Sequence, residues 1–136
     1  MPARSHSTRP VQLALAAIAA AVLALALVAQ AAAAPLRYVA LGDSYSAASG
    51  VLPPDLTAPP QCLRSIRNYP HAIAAATGAQ LTDATCGAAE TGDFFEPQYS
   101  GVPPQLEAVT SDTELVTMTI GGNDSGVFIN AILSCG

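Results

Sequence analysis

Hydrophobic positions divide the chain into one long apolar run and a series of short alternating segments. Val11 to Ala29 consists of Ala, Leu, Val and Ile with Gln12 as its one polar residue. Arg4 and Arg9 precede the run, and small residues follow at Ala29-Gln30-Ala31 and then from Ala31 to Ala34. This order of charge, apolar stretch and small-residue tail predicts a secretory signal peptide over residues 1–31, cut after Ala31 or within the next two residues. The run is also just long enough to span a bilayer. Because about half of it is weakly apolar Ala and a cleavage-type motif follows at once, no stable membrane anchor is expected. Residues 32–136 then form the folded domain.

Within that domain Arg37 to Leu41 reads as a short buried strand stopped by Gly42. Asp43 to Ser49 is small and polar, as a strand-to-helix turn should be. Val51 to Gln61 contains Pro53-Pro54 and Pro59-Pro60, which exclude regular structure and mark an exposed loop. The Ala-rich stretch from about Asn68 to Thr77 has Pro70 near its start and Gly78 at its end, the asymmetry of a helix. A second strand is expected over Ala79 to Thr85, ending at Cys86-Gly87. Ala88 to Gly101 reads as loop, and Pro103-Pro104 opens a short helix through about Thr110. Leu115 to Ile120 is β-branched, bounded by Gly121-Gly122, and forms the clearest strand. Apolar residues return at helical spacing from Gly126 to Leu133.

Strands alternating with helices predict βαβ units and a parallel sheet. In such sheets the loops beyond the carboxyl ends of the strands form the site. Gly42-Asp43-Ser44, Cys86-Gly87 and Gly121-Gly122-Asn123-Asp124 each fall just past an expected strand, so three glycine-bearing polar turns should converge on one edge.

Composition narrows what that edge can bind. Beyond the leader, three arginines face ten carboxylates with no lysine, a balance of about −7. Such a surface repels phosphate backbones, which argues against nucleic acid as a partner. Cys62, Cys86 and Cys135 are an odd set in a chain expected to be exported. Cys135 is the penultimate residue, and its partner is expected beyond Gly136. No CxxC or HxxxH spacing supports a metal site, and no cofactor is indicated.

Two of the turns have the composition of reactive groups. A serine directly after a buried strand, at the start of a helix, has an exposed Oγ and an unpaired N–H beside it. Ser44 suits a nucleophile on that ground, although Asp43 or Ser44 alone would serve equally as a helix cap. Asn123, held on a tight glycine turn, presents an uncharged NH₂ donor suited to a developing oxyanion. The same four residues are also ideal turn composition, and Asn123-Asp124-Ser125 fits a glycosylation sequon, a weak match. Gly87 offers a third N–H, or is simply a turn glycine.

Taken together, Gly42-Asp43-Ser44, Gly87 and Gly121-Gly122-Asn123-Asp124 resemble the ordered blocks of the SGNH (GDSL) hydrolase family. Leu36 to Tyr45 is similar to that family's opening strand, and Thr119-Ile120 leads into its third block. The resemblance spans Leu36 to Gly136. It implies a flavodoxin-like α/β/α sandwich, here only its N-terminal half, and hydrolysis of carboxylic esters through an acyl-enzyme. It implies Ser44 as nucleophile, with Ser44 N–H, Gly87 N–H and the Asn123 side chain forming the oxyanion hole, and a small-molecule or lipid ester as substrate. The cysteine pattern resembles secreted bacterial SGNH esterases and lipases and implies a Cys62–Cys86 disulfide. In the order 2-1-3-4-5, Leu115 to Ile120 would be left as an apolar edge.

The family's Asp-x-x-His block, which supplies the general base and its orienting carboxylate, is not in this sequence. Its two histidines are His6, in the leader, and His71. His71 follows Pro70 in the first turn of a helix and is expected to be a partly exposed residue far from any strand end. The 136-residue chain is therefore expected to be an N-terminal part with little activity alone, since an unassisted serine hydroxyl is a weak nucleophile. The rival reading is a non-catalytic secreted module that holds a sugar or an anion on the same turns. A flavodoxin-type cofactor binder is weaker, because Asp43 puts negative charge where phosphate would sit.

Overall fold

The computed structural model describes residues 13–15, 18 and 34–135. The expected leader and its cleavage site lie outside the described residues, apart from helical Leu13 to Leu15 and Ile18. The chain divides into two compact units, Met1–Ala34 and Pro35–Gly136. The second carries the three strands and the candidate chemistry. No helix among the described residues is long and apolar enough to cross a membrane.

Three strands, β1 (Arg37–Gly42), β2 (Gln80–Asp83) and β3 (Leu115–Thr119), form a parallel sheet in the order β2-β1-β3. This is the order expected for the opening part of a flavodoxin-like sheet. β1 is the middle strand, and Tyr38, Val39, Ala40 and Leu41 are all buried, as its uninterrupted apolar run demands. Tyr38 pairs with Leu115 and Gly42 with Thr119 in the β1–β3 ladder. The Tyr38 hydroxyl shares a hydrogen bond of 2.6 Å with Thr117 Oγ1, while burial pushes its pKa up. β3 pairs with β1 alone among the described residues. Val116 and Met118 on β3 are exposed, the apolar edge that the strand order predicts.

Helices join the strands. After the four-residue α1 (Ser44–Ala47) comes α2 (Tyr69–Thr77), capped by Asn68, whose side chain accepts from His71 N–H, and closed by Gly78. α1 touches both α2 and the sheet, and α2 packs on β2. The expected helix after Pro103-Pro104 is a single 3-10 turn, Gln105–Ala108. α3 (Val127–Cys135) follows the third polar turn.

The proline-rich stretch between α1 and α2 is irregular yet pinned at several points. Ser65 N–H donates to Ala47 O at 2.9 Å, Asp55 N–H to Arg64 O at 2.8 Å and Gly50 N–H to Leu63 O at 3.2 Å. Cys62 and Cys86 are joined by a disulfide with both residues fully buried, and Cys135 is free. Buried Arg64 lies 3.5 Å from the carboxylates of both Asp55 and Asp83 and donates through Nε to Thr85 O. Burial acts to raise the Asp55 pKa. The Thr57 hydroxyl and N–H, with Arg64 and His71, outweigh it and hold the carboxyl below its ordinary value.

Candidate active site

The first turn begins where β1 ends. Gly42 has φ +123°, and a Cβ there would collide with Thr119 O and Ser46 Oγ, so only glycine lets β3 and α1 come this close. Asp43 is buried and caps α1, its Oδ1 accepting from Tyr45 N–H at 3.0 Å and from Thr119 Oγ1 at 3.1 Å. The capping role therefore belongs to Asp43. Ser44 is left as the first helical residue, half-buried, with an N–H that no residue of the helix can accept. Its Oγ has no hydrogen-bond partner among the described residues.

Two residues not singled out in the sequence fix this turn. Gln105 is 2% exposed. Its side-chain amide brackets Gly42, accepting from Gly42 N–H at 2.6 Å and donating to Gly42 O at 3.1 Å. It thus supplies what a neighbouring strand would have supplied. Ser46 is fully buried, accepts from Thr119 N–H at 3.0 Å, and shares hydrogen bonds with Thr119 Oγ1 and Tyr69 OH. Gln105→Leu should strand the buried Gly42 N–H and cost about 1–3 kcal/mol, read as a lower urea midpoint with an unchanged m-value. A change within about 0.5 kcal/mol would show that the bracket is dispensable.

The second turn departs from expectation. Gly87 N–H donates to Cys62 O at 2.9 Å, so it is not free to meet a ligand. Gly87 is glycine for a steric reason, because a Cβ would stand 2.7 Å from Ser49 Oγ and 2.9 Å from Cys62 O. The next residue, Ala88, has φ +62°, an uncommon conformation for a residue with a Cβ. The Ala88 N–H has no acceptor among the described residues. Strained backbone of this kind often marks a functional turn.

The third turn is tied to the second. Asn123 Nδ2 donates to Ala89 O at 2.9 Å, using one of its two hydrogens. Asp124 accepts from Thr91 N–H at 2.9 Å and from Thr91 Oγ1 at 3.0 Å. The Asn123 amide of the sequon is thus engaged in the fold.

One cleft of about 390 Å3 is lined by Ser44, Gly87, Ala88 and Asn123, with Leu63 and Tyr99 among its other walls. The three turns, separated along the chain, therefore meet at a single opening. Among the described residues, no cluster of His, Cys, Asp and Glu is arranged to hold a metal.

His71 does not line this cleft. Its Nδ1 lies 2.7 Å from Asn68 Oδ1 and 3.6 Å from Asp83 Oδ2. Asp83 ends β2, which corrects the expectation that His71 sits far from any strand end. The Asn68 cap aims the ring at the buried Asp83–Arg64 group. No short-range sequence signal announced that contact.

No family model matches the chain. Lipase 2 of Streptomyces coelicolor is 66% identical over 101 residues, which is 74% of this chain and 34% of that protein. The crystal structure of the extracellular lipase of Streptomyces rimosus superposes with a TM-score of 0.62 at 40% identity, over 74% of this chain and 39% of that one. That of phospholipase A1 from Streptomyces albidoflavus gives a TM-score of 0.60 at 36% identity, over 75% and 40%. Fold and sequence agree in their likeness: the chain is similar to Streptomyces lipases and esterases, and it spans about a third of the length of the curated relatives it matches.

Proposed function

We propose that this chain carries the nucleophile and oxyanion-binding groups of an SGNH-type carboxylic-ester hydrolase that acts outside the cell. The observation that carries the reading is the shared cleft of Ser44, Ala88 and Asn123. Ser44 Oγ attacks the ester carbonyl carbon, a base takes its proton, and the carbonyl oxygen becomes an oxyanion. That oxygen is met by Ser44 N–H, Ala88 N–H and the second hydrogen of the Asn123 amide, with Ala88 taking the part first expected of Gly87. Collapse of the adduct breaks the bond to the alcohol oxygen, which leaves with a proton, and water then releases the acid from Ser44. Relatives named lipase and phospholipase A1 support a lipid ester as substrate. The buried disulfide and the leader-like run support export.

Among the described residues no base stands at the cleft, since His71 is committed elsewhere. Catalysis by the 136 residues alone is accordingly expected to be slow, with hole and binding groups leaving at most about 10³–10⁴ over water. Added imidazole replaces the missing base. Hydrolysis of p-nitrophenyl butyrate should rise with imidazole well above the same buffer without protein, and Ser44→Ala should remove that excess. Equal rates for the chain and Ser44→Ala would refute the nucleophile. Fast turnover without imidazole would refute the missing base.

A further inference from the structure

The Gly87–Ala88 peptide carries one of the donors at the cleft, and β2 ends well before it, at Asp83, so no strand fixes its plane. A trans peptide is planar, and its carbonyl oxygen and N–H point to opposite sides. Whatever holds Gly87 O therefore decides where the Ala88 N–H points. Gln98 holds it, with Nε2 donating to Gly87 O at 2.8 Å. The neighbouring bonds belong to other peptides. Gly87 N–H donates to Cys62 O, Ala89 N–H to Cys86 O, and Asn123 Nδ2 to Ala89 O. Among the described residues, Gln98 alone grips the plane that carries the Ala88 N–H.

The plane has a second, easier orientation. The Ala89 N–H bond to Cys86 O, 3.3 Å long, closes a four-residue turn with Ala88 third, at φ +62°. Positive φ at that position is the type II form, which favours glycine or asparagine there. The type I form keeps the same closing bond, inverts the central peptide and returns the third residue to negative φ. Alanine gains by that inversion, because an L side chain at positive φ crowds the following carbonyl oxygen. Inversion would exchange the Ala88 N–H for Gly87 O, and an oxygen on the cleft side repels an oxyanion. A second cost sits at the same turn. Gln98 Oε1 is buried and, among the described residues, is the one such side-chain oxygen or nitrogen without a hydrogen-bond partner. Reversing the amide gives no relief, since it sets two acceptors face to face. Two unfavourable features thus accompany one bond, as happens where an orientation is needed for function.

We propose that Gln98 is the positioning residue of this oxyanion donor: it holds the Cys86–Ala89 turn in its type II form and so keeps the Ala88 N–H, rather than Gly87 O, turned to the cleft. This rests on the ester-hydrolase reading and adds to it a residue outside the cleft, since Gln98 is not among the residues that line it.

Gln98→Met keeps the length of the side chain and removes its donor. In this variant kcat for imidazole-assisted hydrolysis of p-nitrophenyl butyrate should fall about 5–30-fold, the factor by which an L residue disfavours left-handed φ. KM should stay nearly unchanged, because the donor meets charge that forms only after binding. Gln98→Glu, with the same shape but an acceptor against Gly87 O, should lose at least as much. Nuclear magnetic resonance reads the turn without turnover: the strong intraresidue Hα–HN Overhauser effect of a residue at positive φ should weaken at Ala88 in both variants. Adding Ala88→Gly to Gln98→Met should restore most of the lost rate, because glycine keeps positive φ without help. An unchanged kcat in both variants, or an Ala88 signal that persists in them, overturns the proposal. So does a loss of rate that Ala88→Gly fails to restore, since general bracing of the loop would not depend on the Ala88 methyl. Failure of the hydrolase reading looks different: Ser44→Ala would then match the parent's rate, while the Ala88 signal still responded to Gln98.

Discussion

Asn123→Ala is expected to slow imidazole-assisted hydrolysis about 10²–10³-fold, the usual cost of removing one oxyanion-hole donor. The loss should fall on kcat and leave KM little changed, because the amide meets charge that exists only as the tetrahedral adduct forms. The geometry makes the variant clean. Asn123 gives one hydrogen to Ala89 O at 2.9 Å, so its carboxamide is oriented before substrate binds and no search through rotamers dilutes the effect. Truncation also leaves Ala89 O without that donor, a structural cost of about 1 kcal/mol, too small to unfold the domain. Circular dichroism and the thermal melt should thus stay close to the parent while the rate collapses. A rate within fivefold of the parent would remove Asn123 from the hole and favour a turn that merely holds β3 to α3.

The double variant Cys62→Ala/Cys86→Ala should lose about 3–4 kcal/mol of folding stability. The bridge spans a sequence separation of 24, and the chain-entropy model assigns roughly that value to a loop of such length. Urea denaturation measures it. The m-value should rise with the loss of stability, because the unfolded chain without the cross-link is more expanded. Function should suffer as well. Cys62 O accepts the Gly87 N–H, so release of Cys62 frees the backbone that sets Ala88 in its unusual conformation. A stability change below about 1 kcal/mol would mean that the cluster of Cys62, Cys86 and Val102 holds this region by packing alone.

Much of the frame was legible because it is written in local patterns. β1 shows as a continuous apolar run, α2 as an Ala-rich stretch between Asn68-Tyr69-Pro70 and Gly78, and β3 as a β-branched run before two glycines. The alternation of these elements was enough to give a parallel sheet, and the strand order followed from the family resemblance. The three turns were legible for the same reason, since each is a glycine-bearing polar group at a strand exit. What escaped are contacts between residues distant in sequence. Gln105 follows two prolines and looks like the start of an ordinary helix, yet its amide completes the hydrogen bonding of Gly42, 63 positions earlier. Ser46 looks like a neighbour of Ser44 and instead locks β3. That the Gly87 N–H is taken up could not be seen because its partner, Cys62 O, comes from a loop without regular structure. His71 is partly exposed as expected, but its approach to Asp83 was hidden likewise, because a side chain of α2 reaches across to the end of β2.

The tie between Asp124 and Thr91 reaches further than its exposed position suggests. With the Asn123–Ala89 bond it makes a double latch that ties residues 89–91 to residues 123–124. A substitution at Thr91, which does not line the Ser44 cleft, would be felt as a misaimed Asn123 carboxamide on the far side of the latch.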